Sequence, residues 1–266
     1  MGDSASISAA KEIAFESFGA RVGVIADSPE VLERIPALLP PHAQPCPSSA
    51  AEGWLSVLAR AGGSYDFLID GSPVTTGIDL AFALTLLEAQ LRIFVGLHAP
   101  NRIFIHAGVV AHEGRAIVIP GRSFAGKTTL VLALVRAGAL YYSDEFAILD
   151  EEGLVHPYAK PVSVRDGNQI QNDHDIERFG GIAGEEPLRV GAVVFSEYRR
   201  GAEWNPTELS PGRGALSLFA NTLAAMKRTE EAMRAIKLAV DGVLMLEGER
   251  GEADAMAQDL LKRIPA

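Results

Sequence analysis

The chain has 266 residues, a net charge of −10 and one cysteine, Cys46. This length suggests one large or two small domains, and with nearly half the residues hydrophobic a sizeable core can form. The acidic balance excludes a broad nucleic-acid surface, which needs clustered Lys and Arg, and a lone cysteine excludes an internal disulfide and points to a reducing compartment, read as the cytoplasm.

In chain order, RVGVIA (21–26) reads as a strand. SPEVLERIPALL (28–39) reads as a helix, with Ser28 as N-cap and Pro29 at the first helical position. PPHAQPCPSS (40–49) is a connector whose prolines forbid regular structure. YDFLID (65–70) is a second strand, and GSPVTTG (71–77) reads as a seam. The apolar stretch from Gly77 to His98 carries Asp79, Glu88 and Arg92, so it is expected as a helix with a buried face rather than a membrane span. No basic region followed by an apolar run opens the chain, so no secretory leader is expected. MGDSAS fits the loose myristoylation pattern, a match short enough for chance to supply.

Past that helix, RIFIHAGVVA (102–111) and AIVIP (116–120) are apolar strands joined by HEGR, where Glu113–Gly114 suggests a hairpin turn. TTLVLALVRAG (128–138) is a helix apolar on nearly all sides, with Gly138 as its stop. ALYYSDEFAILDEEG (139–153) gives a strand, an acidic corner and another strand, and RVGAVVFSEYR (189–199) a further strand. SPGRGALSLFANTLAAMK (210–227) and TEEAMRAIKLAVDG (229–242) are helices with Ser210 and Thr229 as caps. VLMLE (243–247) and a helix near 252–263 complete the pattern, which is that of an α/β protein.

Between the 116–120 strand and the following helix the chain reads G-x-x-x-x-G-K-T, from Gly121 to Thr128. Glycines let such a loop curl so that successive N–H groups point inward, and the helix N-terminus adds to that anion site. Arg122, Ser123, Phe124, Ala125 and Gly126 lie inside the loop, with Thr129 just beyond it. In this strand–loop–helix context Lys127 is expected on the β- and γ-phosphates of ATP, and the Thr128 hydroxyl on Mg²⁺. Phe124 is bulky for such a loop and resists positive φ. Asp144 and Glu145 end the strand ALYYS, where carboxylates beside a phosphate loop hold Mg²⁺ directly or through water. The strand ALYYS is expected beside the 116–120 strand, which would bring Asp144 to the loop. His106 stands in an otherwise apolar strand, and by itself reads as a core residue.

The run IHAGVVAHEGRAIVIPGRSFAGKTTLVLALVRAGALYYSDE (105–145) resembles the C-terminal kinase domain of HPr kinase/phosphorylase, the bacterial serine kinase. The likeness lies in the order: a His-containing strand, a hairpin, the P-loop, a helix, and a strand ending in two acidic residues. It implies the P-loop fold of the HPr kinase and PEP carboxykinase type. It also implies Asp144 as general base on the substrate hydroxyl and His106 hydrogen-bonded to that carboxylate to orient it. Ser123, Gly126, Lys127 and Thr128 match the family loop. The chain departs from the family at Phe124, where the family has glycine, and at Glu145, where it has aspartate. It departs again in PVSVRDG, where Ser163 stands in place of a metal-linked glutamate. The stretch 193–223 is similar to HPr-kinase-like proteins of peptide-biosynthesis clusters.

Two parts are therefore expected: residues 1–75 as an N-terminal α/β element of open role, and 76–266 as the kinase core. The expected function is transfer of the ATP γ-phosphate to a hydroxyl, a serine of a protein or peptide, without nucleic acid or membrane as partner. The resemblance also allows a homo-oligomer. A small-molecule kinase with the same machinery and a non-catalytic nucleotide switch stay open. Arg122, Arg165, Arg199 and Arg200 are candidate cations near the γ-phosphate.

Overall fold

Where two successive residues take positive φ the chain turns back as a tight hairpin, and it does so at Phe18–Gly19, Asp70–Gly71 and Glu113–Gly114. These turns organise two separate sheets. The computed structural model describes residues 10–122, 125–165 and 171–264, and shows a mixed α/β protein that divides into two units, Met1–Pro100 and Asn101–Ala266.

The first unit contains β1 (Lys11–Ser17), β2 (Ala20–Ala26), α1 (Pro29–Leu38), β3 (Gln44–Pro45), β4 (Trp54–Ala59), β5 (Tyr65–Ile69), β6 (Ser72–Ile78) and α2 (Leu80–His98). Its sheet runs β3–β1–β2–β4–β5–β6, with β2 and β4 parallel. Alternate residues Val22, Val24 and Ala26, with Leu55 and Val57, face the core, the period-2 pattern of a sheet covered on one side. Onto them α2 lays Ala83, Leu87 and Leu91, and its buried stripe runs on at the same i, i+4 spacing to Val95. By length and composition α2 could cross a membrane, yet its stripe joins this core. That packing corrects the expected domain boundary. The division falls at Pro100/Asn101 rather than 75/76, because a helix stays with the sheet that buries its apolar face. The expected seam GSPVTTG is instead strand β6, paired antiparallel with β5.

The second unit contains β7 (Ile103–His112), β8 (Arg115–Pro120), α3 (Lys127–Arg136), β9 (Leu140–Ser143), β10 (Phe146–Leu149), β11 (Leu154–His156), β12 (Val162–Arg165) and β13 (Gln171–His174). It continues with β14 (Leu188–Tyr198), β15 (Thr207–Glu208), α4 (Pro211–Phe219), α5 (Thr229–Ala239), β16 (Leu244–Arg250) and α6 (Ala253–Arg263). The sheet order is β11–β10–β7–β8–β14–β16–β15, with β9 also on β7. Strands β8, β14 and β16 are parallel neighbours. Successive residues are buried along β8, in the middle of β14 (Ala192, Val193 and Val194) and at Met245 and Leu246 of β16, so these stretches are covered on both faces and read as apolar runs. Val109, Val118, Val193 and Met245 share one core with residues of α4 and α5, while Val110, Ile117, Val194 and Leu246 share another with α3 and α6. Gly108 lies under α3: a Cβ there would come 2.6 Å from Val131 Cγ2, so only glycine lets the helix sit this close to β7.

The expected caps fare unevenly. Ser28 and Ser210 stand at the N-cap positions but make no side-chain capping bond, and α5 begins at Thr229 rather than being capped by it. Gly138, at φ +106, does end α3.

Candidate functional site

Strand β7 joins the two halves of the site. Along its second half it pairs with β8 on one edge and with β9 on the other. Its first half pairs with β10, Phe146 opposite His106. Asp144 and Glu145 lie between β9 and β10, so the ladder breaks there and the acidic corner stands opposite Ala107, whose N–H donates to the Glu145 carbonyl at 3.0 Å. On the other edge Gly121 N–H donates to the His106 carbonyl at 3.3 Å. The expectation that ALYYS adjoins the 116–120 strand is thus corrected. Strand β7 intervenes, because its long apolar run can pair on both edges. The corner still reaches the loop: Thr128 Oγ1 donates to Asp144 Oδ2 at 3.3 Å.

The loop closes on its own lysine. Lys127, 8% exposed, donates from Nζ to the carbonyls of Gly121 and Arg122, each at 2.9 Å. It has no carboxylate within ion-pair distance among the described residues. Burial pulls its pKa below the usual lysine value, while the charges of Asp144 and Glu145 pull the other way. Gly126 takes φ +77 at the N-cap of α3, and no side chain caps that helix. The first-turn N–H groups thus have no intrahelical acceptor, the arrangement that suits an anion. Ala125 lies partly exposed before Gly126, and Thr129, exposed, follows Thr128. Ser123 and Phe124 lie outside the described residues.

Asp144, 7% exposed, is held from three sides. Tyr141 donates its hydroxyl to Oδ1 at 3.1 Å, Lys160 Nζ lies 3.3 Å from the same oxygen, and Thr128 meets Oδ2. Burial first, then the Asp144 charge, pushes the Tyr141 pKa well up, so its hydroxyl stays a neutral donor. Lys160 also lies 3.7 Å from Glu145 Oε2. This geometry corrects the role expected of His106, whose ring makes no hydrogen bond to Asp144. Paired across from Phe146, its ring lies 6.2 Å from that ring, and burial with the nearby Lys127 charge lowers its pKa to about 4. It is a neutral imidazole near the loop.

Among the described residues no three His, Cys, Asp or Glu side chains form a metal cluster. The pair Thr128 and Asp144, with Glu145 next in the chain, supplies oxygen donors alone. That set fits a hard cation such as Mg²⁺, which takes one or two protein oxygens and fills its shell with water and phosphate oxygens. The uncapped start of α3 with Lys127 fits a polyphosphate. The arrangement can therefore hold a phosphorylated ligand beside a fixed carboxylate.

Of the arginines singled out in the sequence, Arg122 is exposed and contributes its carbonyl to Lys127. Arg199 is exposed and paired with Glu249 at 2.7 Å, Arg200 is exposed, and the Arg165 side chain lies outside what is described. Ser163, the departure noted in PVSVRDG, donates its hydroxyl to Asp173 at 2.5 Å. Two cations escaped the sequence reading. Lys160 sits in no motif, and the bonds from Tyr158 N–H to the Tyr142 carbonyl and from the Tyr141 hydroxyl to the Lys160 carbonyl bring its segment to the corner. Arg250 ends β16 and reaches Gly126. A signal for it existed, because ligands gather at the carboxyl ends of parallel strands.

No family model matches the chain, and no curated protein matches it. Among solved structures it is similar to the HPr(Ser) kinase/phosphatase from Coxiella burnetii, at 13% identity and a TM-score of 0.37, over 60% of this chain and 93% of that one. A likeness so slight carries no argument about activity. What the site can do rests on its own side chains.

Proposed function

We propose that the chain is an ATP-dependent phosphotransferase of the HPr-kinase-like type, moving the γ-phosphate of ATP to the hydroxyl of a serine in a protein or peptide. The observation that supports this most is the 3.3 Å contact between Thr128 Oγ1 and Asp144 Oδ2 at the uncapped start of α3, beside Lys127. That contact sets a hydroxyl and a carboxylate, groups suited to a metal ion, beside an ammonium suited to a phosphate.

In this reading the loop amides and Lys127 hold the phosphates, and Thr128 and Asp144, with Glu145, hold Mg²⁺. A bound Mg²⁺ would neutralise charge on the phosphate oxygens and orient them. The Asp144 carboxylate accepts the proton of the acceptor hydroxyl as that oxygen bonds to the γ-phosphorus and the bond to the β-phosphate oxygen breaks, leaving ADP. Tyr141 and Lys160 keep the carboxylate aimed. A nucleotide switch needs no such fixed base, and this favours catalysis. The acceptor class and a cytoplasmic setting belong to the same proposal.

The test is incubation with γ-labelled ATP, Mg²⁺ and serine-containing peptides or lysate of the host, with calorimetry of Mg-ATP binding alongside. Labelled phosphoserine is expected. Lys127→Ala should lose about 10²–10³ in rate, the usual cost of one transition-state donor. Absence of Mg-ATP binding by the parent protein, or unchanged turnover in Lys127→Ala, would overturn the assignment.

A further inference from the structure

Arg250 is an anomaly. It is 2% exposed, as deeply buried as core residues, yet it forms no ion pair among the described residues. Its guanidinium donates from Nη2 to the Gly126 carbonyl at 2.9 Å and from Nη1 to the Gly251 carbonyl at 3.1 Å. Nε is buried with no hydrogen-bond partner. The group lies over the Tyr198 ring, 5.4 Å from its centroid, and the Tyr198 hydroxyl itself bonds to Glu252. A guanidinium carries five N–H donors, and among the described residues two of them meet a protein acceptor. Burying a charge without an ion-pair partner is costly, and burial lowers the Arg250 pKa, while the charge of nearby Glu252 pulls the other way. The protein keeps that cost in one place: against the loop residue that opens α3.

The fit to the loop is close. A Cβ on Gly126 would lie 2.5 Å from Arg250 Nη2, so the guanidinium occupies the space that any other residue would fill. The Gly126 carbonyl also accepts the Leu130 N–H at 3.1 Å, so the helix alone would satisfy it. The next residue, Lys127, is likewise a buried cation bonded only to carbonyls. Among the described residues neither cation has a carboxylate within ion-pair distance, although the charge of Glu252 pulls on Arg250 and those of Asp144 and Glu145 pull on Lys127.

We infer that Arg250 is a positioning residue of the phosphate site: it braces the loop at Gly126, and the polyphosphate of the bound nucleotide supplies the close counter-charge that it lacks among the described residues. The inference rests on the reading of the loop as a phosphate site, though not on transfer to serine. It assigns the end of β16 to the site, and it makes the loop electropositive from behind as well as from Lys127. The guanidinium acts through the Gly126 peptide and through space.

The test compares Arg250→Met, which keeps an apolar stem without charge, and Arg250→Lys, which keeps the charge. Urea unfolding of the free proteins is measured together with calorimetry of Mg-ATP and of adenosine. Because a buried unpaired charge is removed, Arg250→Met should match or exceed the parent in stability while binding Mg-ATP about 10- to 100-fold more weakly. Arg250→Lys should recover much of that affinity, and adenosine binding should be the same in all three. A purely structural role predicts the opposite: a less stable Arg250→Met with unchanged Mg-ATP affinity per folded molecule. That result overturns the inference and leaves the loop assignment standing. If the parent protein binds no Mg-ATP, the loop assignment and this inference fall together.

Discussion

Replacing Asp144 by Asn separates base from scaffold. The side chain keeps its shape and an oxygen for the Tyr141 hydroxyl, but loses the charge that faces Lys160 at 3.3 Å and the ability to take a proton. Both partners are nearly inaccessible, with side-chain exposures of 4% for Asp144 and 11% for Lys160, so the pair is little screened. Removing one partner of a buried pair costs about 3–5 kcal/mol. Lys160 keeps Glu145 at 3.7 Å, and this should bring the loss down to about 1–3 kcal/mol. In a unit of this size each kcal/mol shifts the melting temperature by about 2–4 °C, so melting should fall by about 2–12 °C. Mg-ATP should still bind within about tenfold of the parent, because Lys127 and the loop amides are untouched. Phosphoryl transfer should drop by about 10²–10⁴, the usual contribution of a general base. Single-turnover transfer, calorimetry and a thermal melt on the same preparation give all three quantities. Full transfer in Asp144→Asn would refute the base assignment. Parallel loss of Mg²⁺ dependence and ATP affinity would instead make Asp144 a metal ligand only.

Gly126→Ala should be damaging twice over. A left-handed backbone at φ +77 costs a non-glycine residue about 1–2 kcal/mol, and the new Cβ displaces Arg250 from the loop, so Mg-ATP affinity should fall at least about tenfold by calorimetry. His106 makes a pH prediction. Its folded pKa, near 4, lies below the ordinary 6.5, so between those values the unfolded chain binds a proton that the folded one resists. Stability should therefore decline as pH falls from 6.5 toward 4. The decline should be shallower in His106→Gln, as urea unfolding at pH 7 and pH 4.5 would show; an equal slope in both proteins would remove this role.

How much of this was legible depended on how local each determinant is. The hairpin at Glu113–Gly114 is legible in the sequence, and the same chemistry stands at Asp70–Gly71 between YDFLI and SPVTTGI, although the proline and glycine of β6 present it as a seam. Strands β1 and β4 went unread, although Leu55 and Val57 alternate inward as a half-buried strand requires. Lys160 lay beyond reach, since 15 or more residues separate it from the acidic corner and no spacing rule links them.

By itself the sequence determined the α/β class, the loop Gly121–Thr128 between a strand and a helix, and the candidacy of Lys127, Thr128 and Asp144. It could do so because phosphate loops, hairpin turns and apolar periodicity are written in residues close together along the chain. Tertiary structure alone decided which unit claims α2, since the stripe Ala83, Leu87, Leu91 and Val95 suits any sheet that will cover it. It decided that β7 rather than β8 carries the acidic corner, because an apolar strand does not announce which neighbour it will pair with. And it decided that Tyr141 and Lys160, rather than His106, hold Asp144, because side-chain partners across a sheet are set by register and by the return of distant segments, neither of which leaves a local trace.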